Sequence, residues 1–407
     1  MKISVNKRFQ NSIYYWLLLL FVPIEAVGGV MANYGGGAVN AIGYIYRGTV
    51  ILLFGKRILK KKNSRYLIAS IILLLGILVN SVIRINSNLE SDIMEFIRIL
   101  YFESLVLGLV DLVRANKIPK AMLEMILKKS SILVMIIYAI SLFFGKGLVT
   151  YTDAGTGYKA FFNSTNSLTI VLIILSSFHL MLFQRDGKKK DMIIYGIISV
   201  FLFLLGSKSG YFFWAMYLLY SYRPKSSIKY AKQIMLIAIV FPIGIYIFLN
   251  RFSTQINAII SRFRYFATSS SSNLEFLLSG RNNLLLSGWK GYLSNLNILD
   301  IVIGKGSYNM QIVIGQISNW GILKNVEMDF FDIFFCFGIV GLIVTYYLSI
   351  RTVLKGRKIR FDAEFVMFLM CIIFSVLGGH VFMDSFGSTI FALIIALNIQ
   401  KKEMLYK

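Results

Sequence analysis

The sequence predicts an all-α polytopic membrane protein of about twelve transmembrane helices, and three observations carry that prediction. The 407 residues are 57% hydrophobic but only 15% charged, too little charge for the surface of a soluble domain of this length. Long apolar runs are spread along the whole chain instead of forming one leader ahead of a globular domain. The basic residues gather in alternate connecting segments, as they do in multi-pass proteins.

Taken in order, apolar runs of spanning length fall at about 12–33, 38–55, 66–84, 93–113, 130–148, 165–183, 192–206, 209–222, 233–250, 329–350, 364–383 and 385–399. The seventh and eighth are short and nearly continuous, and read either as two spans or as one bent hairpin. Of the 43 Lys and Arg residues, 30 lie in the two termini and in segments 56–65, 114–129, 185–190, 223–232 and 351–360. With an even number of spans, all of these fall on one face, which the positive-inside rule makes cytoplasmic together with both termini. The net charge of +24 is therefore a topology signal, and nucleic acid is not an expected partner. Residues 1–407 read as one transmembrane domain, and 251–328 as a large extracytoplasmic loop within it.

Cys336 and Cys371 both lie inside expected spans and read as small apolar fillers. His179 and His380 are the only histidines, which argues against a histidine-based metal site. No phosphate-cradling glycine loop of the nucleotide-binding kind is present.

The 13 cations outside the cytoplasmic segments need a reason of their own. Arg47 and Glu25 lie equally far from the turn near Gly36, so a structural ion pair between them is expected. Glu95, Arg98 and Glu103 invite a similar reading, helped by the i,i+3 spacing of the first two. Arg262 and Arg264 stand beside aromatic residues, as in an interfacial helix that snorkels toward lipid phosphates.

The loop is otherwise too long for a mere connection. In "LLSGRNNLLLSGW", residues 277–289, Ser279 is an expected cap for a helix whose apolar residues Leu284, Leu285, Trp289 and Tyr292 recur at helical spacing. Arg281 then stands at the amine end of that helix, where backbone N–H groups and a guanidinium together suit a phosphate. In "VEMDFFD", Asp329 and Asp332 share a face of a starting helix with Glu327 just before it, either as ordinary capping or as proton acceptors for a sugar hydroxyl.

Four stretches resemble the bacterial O-antigen and capsule-repeat polymerases of the Wzy type, with the related O-antigen ligases close by. They are "GYKAFFNSTNS", which holds Lys159 and Asn166; "FLFLLGSKSGYFF", with Lys208; "SGRNNLLLSGW" followed by "IGKGS", with Lys305; and "VEMDFFDIFFCFGIVGLI". The resemblance implies a helix bundle of the membrane glycosyltransferase type in the bacterial cytoplasmic (inner) membrane. It implies an oligosaccharide donor and acceptor on undecaprenyl diphosphate, joined outside the cytoplasm with no nucleotide, metal or other cofactor. Membrane lipid, a chain-length regulator and a flippase are the further partners it suggests. Ligases commonly carry a histidine where this chain has acids in "VEMDFFD", which favours polymerase over ligase. Lys208 replaces the family's more frequent arginine and lacks its two-point grip.

On this reading Arg281 stabilises the leaving diphosphate, with Lys208, Lys159 and Arg264 as supporting cations. Asn166, Lys305 and Asp332 join them in binding substrate. Glu327 or Asp329 serves as general base, with His380 in "GGHVFMDS" as a third candidate beside a helix-packing role. The rival class is a flippase for the same lipid-linked sugars. No convincing internal repeat favours it, and the single large loop is asymmetric.

Overall fold

The structure is a computed structural model that describes residues 13–34, 41–84, 86–151, 156–222, 278–319, 321, 323–355 and 361–405, together with isolated positions between 257 and 275. It is mostly helical, at 81%. In chain order the helices are α1 (Ile13–Tyr34), α2 (Ala41–Gly55), α3 (Ser64–Ile83), α4 (Leu89–Arg114), α5 (Lys120–Phe144), α6 (Thr165–Asp186), α7 (Lys189–Leu205) and α8 (Lys208–Ser221). A two-stranded antiparallel ribbon, β1 (Val149–Tyr151) and β2 (Thr156–Tyr158), lies between α5 and α6. Then come α9 (Arg281–Leu293), α10 (Ile298–Ile303), α11 (Ser307–Ser318), α12 (Asp329–Leu342), a π turn (Ile343–Tyr347), α13 (Leu348–Leu354), α14 (Ala363–Leu377) and α15 (Ser385–Leu405).

Among the described residues, five helical stretches, Ile13–Asn33, Lys61–Ile83, Lys120–Phe144, Thr165–Asp186 and Asp329–Leu354, are long and apolar enough to cross a membrane. Around them the apolar faces sort by position. α4 from Tyr101 to Val113, nearly all of α6, and α15 from Ser385 to Ile399 are buried, and they form the centre. α3 instead turns Ile68, Ile71, Leu75, Val82 and Ile83 outward. An apolar surface of that kind suits lipid, because a helix that is hydrophobic all round needs no water-facing stripe.

Polar ties mark the two ends of the bundle. At one end Lys120 reaches Glu364 at 2.8 Å, Arg185 grips Glu124 at 2.6 and 2.9 Å, and Tyr220 donates to the Phe361 carbonyl. At the other end, where α2, α4, α6 and α15 begin, lie the ribbon and the helices α9–α11. Asn80 at the tip of α3 donates to the Gly304 carbonyl, Arg84 pairs with Asp300, and Asp92 on α4 accepts from the Tyr308 N–H at 2.9 Å.

Helix α12 shows why "IGKGS" has its composition. The backbone breaks at Gly338, with φ 61° and ψ −157°, and the carbonyls of Phe335 and Cys336 leave the helical ladder. The N–H groups of Lys305 and Gly306 take them up at 2.9 and 3.2 Å. A Cβ on Gly304 would sit 2.2 Å from the Cys336 carbonyl carbon, so only glycine permits this docking.

Several sequence expectations need correction. The fifth helix begins at Lys120, ten residues before the expected span at 130, because buried Met122, Leu123, Ile126 and Leu127 extend the helical periodicity into the basic segment. The eleventh expected span, 364–383, ends as a helix at Leu377, and the following residues are non-helical. Residues 201–213 form two helices, with Gly206 (φ 74°) closing α7 and Ser207 capping α8. Arg98 does grip Glu95, at 2.7 and 3.0 Å, but Glu103 bonds instead to Ser70 at 2.5 Å. The hydrogen bond of Arg47 goes to Ser385 rather than to Glu25. Cys336 and Cys371 are buried and unbridged. The ninth expected span (233–250), Arg262 and the turn near Gly36 lie outside the described residues.

Candidate functional site

Four segments meet at the end of the bundle where α6 begins. Ser164 starts α6, its hydroxyl accepting from the Ser167 N–H, and this first turn presents Asn166. The second segment is the start of α9. Here Ser279 is not the cap: Gly280, at φ 81°, takes the cap position without a side-chain bond, and Arg281 is the first helical residue. Leu284 and Tyr292 bury the face of α9 as the spacing predicts.

The third segment runs from Lys324 into α12, and the fourth is the irregular stretch between α14 and α15. Glu327 and His380, one in each, both adopt positive φ, 64° and 61°, which costs on the order of 1 kcal/mol apiece for residues with a Cβ. Gly379 brings the two strands together, since a Cβ there would lie 2.3 Å from the Glu327 carbonyl oxygen. Local strain of this kind is held in place by what surrounds it, and Asp329 supplies the main hold. Its buried carboxylate accepts from the N–H groups of His380, Val381 and Phe382 at 2.6, 2.5 and 2.8 Å. Asp332 does the same one turn later, accepting from Val326 and Met328 at 2.8 and 3.2 Å.

Arg281 lies across this junction. Its Nη2 is 3.3 Å from Asn166 Oδ1 and 3.4 Å from Glu327 Oε2, both long for charge-assisted bonds. Its Nε is buried with no hydrogen-bond partner, and so is Oδ1 of the neighbouring Asn282. Glu327 remains partly exposed, with Lys324 3.9 Å away. The His380 ring, 30% exposed, has its Nδ1 3.9 Å from Asp329 Oδ1, and its carbonyl accepts from Ser167 Oγ at 3.2 Å.

The residues singled out in the sequence thus divide. Arg281, Asn166, Glu327, Asp329 and His380 are brought together. Asp329 and Asp332 spend their oxygens on backbone N–H groups, so they position the segments and are not open to accept a proton from a substrate. Lys305 is also removed from any ligand. It is buried, pointing at the Gly291 and Ser294 carbonyls and the Tyr292 ring, with Asp300 3.9 Å away. Burial pushes its ammonium pKa down. Lys159 is half-buried in the loop before α6 and donates to the Asn163 carbonyl at 2.7 Å, and burial lowers its pKa as well. Lys208 opens α8, whose Gly210 faces Thr169 of α6. Arg264 is helical and exposed.

What the sequence did not single out is Asp384, which precedes α15 and accepts from the Phe386 N–H at 2.8 Å. Its only sequence signal is position, an acid between a glycine pair and a serine-capped apolar run. Chemically, the junction offers an undersatisfied guanidinium, an accessible carboxylate and an imidazole within one small region. That set suits an anion beside a group that gives up a proton. No family model, curated protein or solved structure matches the chain.

Proposed function

We propose that the protein is a Wzy-type polymerase that joins undecaprenyl-diphosphate-linked oligosaccharide repeats into O-antigen or capsular polysaccharide at the outer face of the bacterial cytoplasmic membrane. The reading takes the chain as a bundle of about twelve spans with cytoplasmic termini and a large outer loop at 251–328. One observation carries it: Arg281, at a helix start, has two long hydrogen bonds and a buried Nε with no partner. An arginine held this loosely is short of negative charge, and a diphosphate fits its fork and the N–H groups behind it.

In the proposed reaction the terminal hydroxyl oxygen of the acceptor repeat attacks the anomeric carbon of the donor chain. The bond from that carbon to the diphosphate oxygen breaks, and its electron pair leaves with undecaprenyl diphosphate. Arg281 stabilises the charge growing on that oxygen, helped by Lys159 and Lys324. As the diphosphate takes the guanidinium, Glu327 gives up that contact and its carboxylate accepts the hydroxyl proton. His380, held beside Asp329, is the residue on which the alternative ligase reading rests. In that case the acceptor is a glycolipid that carries no diphosphate.

The test is chain growth by purified protein given lipid-linked repeats. A ladder of longer chains supports the polymerase, transfer only onto a diphosphate-free glycolipid supports the ligase, and unaltered repeats refute both.

A further inference from the structure

A second polar cluster lies near the first turn of α6. Glu25 of α1 is within electrostatic reach of Arg47 of α2, Arg98 of α4 and Asp384 before α15, with the Ser164 backbone nearby. Four elements therefore bring half-buried charges to one place, where unpaired charge is costly. An ion-pair network built only for stability would close on itself. This one does not: Arg47 makes a long 3.4 Å bond to Ser385 Oγ, Arg98 turns Nη1 to Glu95, and the Nε atoms of both are buried without a partner. The Tyr44 ring lies 5.4 Å from the Arg47 guanidinium. Side-chain exposure of 33% at Arg98 leaves the cluster open on that side.

Charge decides what such a cluster accepts. The acids Glu25, Glu95 and Asp384 leave Arg47 and Arg98 no excess positive charge to offer a diphosphate, while the two guanidinium groups disfavour a metal cation. A neutral ligand rich in hydroxyls meets neither objection. Each hydroxyl both donates and accepts, matching carboxylates on one side and guanidinium N–H groups on the other, with an aromatic ring alongside.

We propose that Glu25, Arg47, Arg98 and Asp384 form a saccharide-binding subsite, with Tyr44 as its aromatic wall. Ser164, near Glu25, and Asn166, 3.3 Å from Arg281, belong to one helix turn, so sugar held here lies close to the guanidinium. The choice of a repeat-unit oligosaccharide as the occupant rests on the polymerase reading, whereas the preference for a neutral polyhydroxyl ligand rests on the cluster alone.

The probe is the lipid-free oligosaccharide released by mild acid from the lipid-linked repeat, titrated into the purified full chain and followed by saturation-transfer NMR. Wild type binds it, Glu25→Gln and Arg98→Met weaken binding by roughly tenfold or more, and Arg281→Ala binds it within about twofold of wild type. In chain-growth assays the same two variants raise KM for the lipid-linked acceptor with kcat nearly unchanged. Absence of binding by wild type, or binding by a monodisperse Glu25→Gln protein within about twofold of wild type, overturns the subsite. Glu25→Gln keeps the size and shape of the side chain and replaces only one acceptor oxygen by a donor, so it carries the test if Arg98→Met fails to fold. Failure of wild type to extend lipid-linked repeats would refute the polymerase reading and leave the binding measurement to decide the subsite.

Discussion

His179 and Asp191 meet where α6 ends and α7 begins, and His380 and Asp329 meet at the opposite end of the bundle, between α12 and the approach to α15. Both pairs are an imidazole and a carboxylate. In the first, both ring nitrogens are occupied: Nδ1 lies 2.8 Å from Asp191 and Nε2 3.1 Å from Ser131, whose hydroxyl also donates to the Leu127 carbonyl. All three side chains are buried, and their order resembles a hydrolytic triad with no route for a substrate. The second pair is the reverse. Asp329 is saturated by three backbone N–H groups, and the His380 ring stands off at 3.9 Å, partly exposed and in strained backbone. A polar group whose partners are all supplied joins helices, whereas one with partners missing in a tightly built place is available to a ligand.

The sharpest way to break this comparison is Asp329→Ala. It strips the acceptor from three N–H groups, at least two of them in buried residues, which costs on the order of 3 kcal/mol or more. We expect loss of monodisperse protein on size exclusion, with Asp329→Asn partly restoring it. Arg281→Ala comes next. Chain growth should fall by roughly 100-fold or more while the detergent melting temperature stays within a few degrees, and Arg281→Lys should recover little because its point charge lacks the fork. An unchanged polymer ladder from Arg281→Ala removes the proposed diphosphate role.

The two histidines then separate by readout. His179→Ala leaves Asp191 and Ser131 buried without their shared partner, so stability should drop by roughly 1–3 kcal/mol in a thermal melt with turnover per folded molecule retained. His380→Ala should leave the melt unchanged and reduce chain growth by roughly tenfold. The converse pattern would mean that the buried triad is the working site.

Lys159 gives the smallest effect. Burial lowers its pKa, so the folded protein releases this proton at a lower pH than the unfolded chain does. Between the folded and unfolded values the unfolded chain binds more protons, so stability from this site rises with pH while its cation is lost. Chain growth should therefore decline on the alkaline side, and Lys159→Arg should move that decline to higher pH. An alkaline limb that does not move excludes Lys159 from anion binding.

Much of the helix order was legible because apolar periodicity is a local property. Each described helix of the main bundle overlaps an apolar run in the sequence, with the largest shift at α5, where charged Lys120 and Glu124 are accommodated by partners on α6 and α14. Arg281, Asn166 and Glu327 were also legible, as polar residues at helix starts in an oily chain. Lys305 and Asp332 read as ligands in the sequence but are spent on backbone groups, since a cation or acid in a loop gives no sign of which carbonyls or N–H groups will surround it. Asp384 carries no local signal for the same reason.

Composition and spacing by themselves determined a helical chain with spans of membrane length, because burying an apolar run depends only on its own residues. Tertiary structure alone decided which charges are spent and which are left over. The break at Gly338 that docks Lys305 and Gly306, the turn at Gly379 that seats Asp329, and the meeting of Glu25, Arg47, Arg98 and Asp384 each join segments far apart in sequence. Hydrogen bonding and charge pairing are properties of such meetings, and no local pattern encodes them.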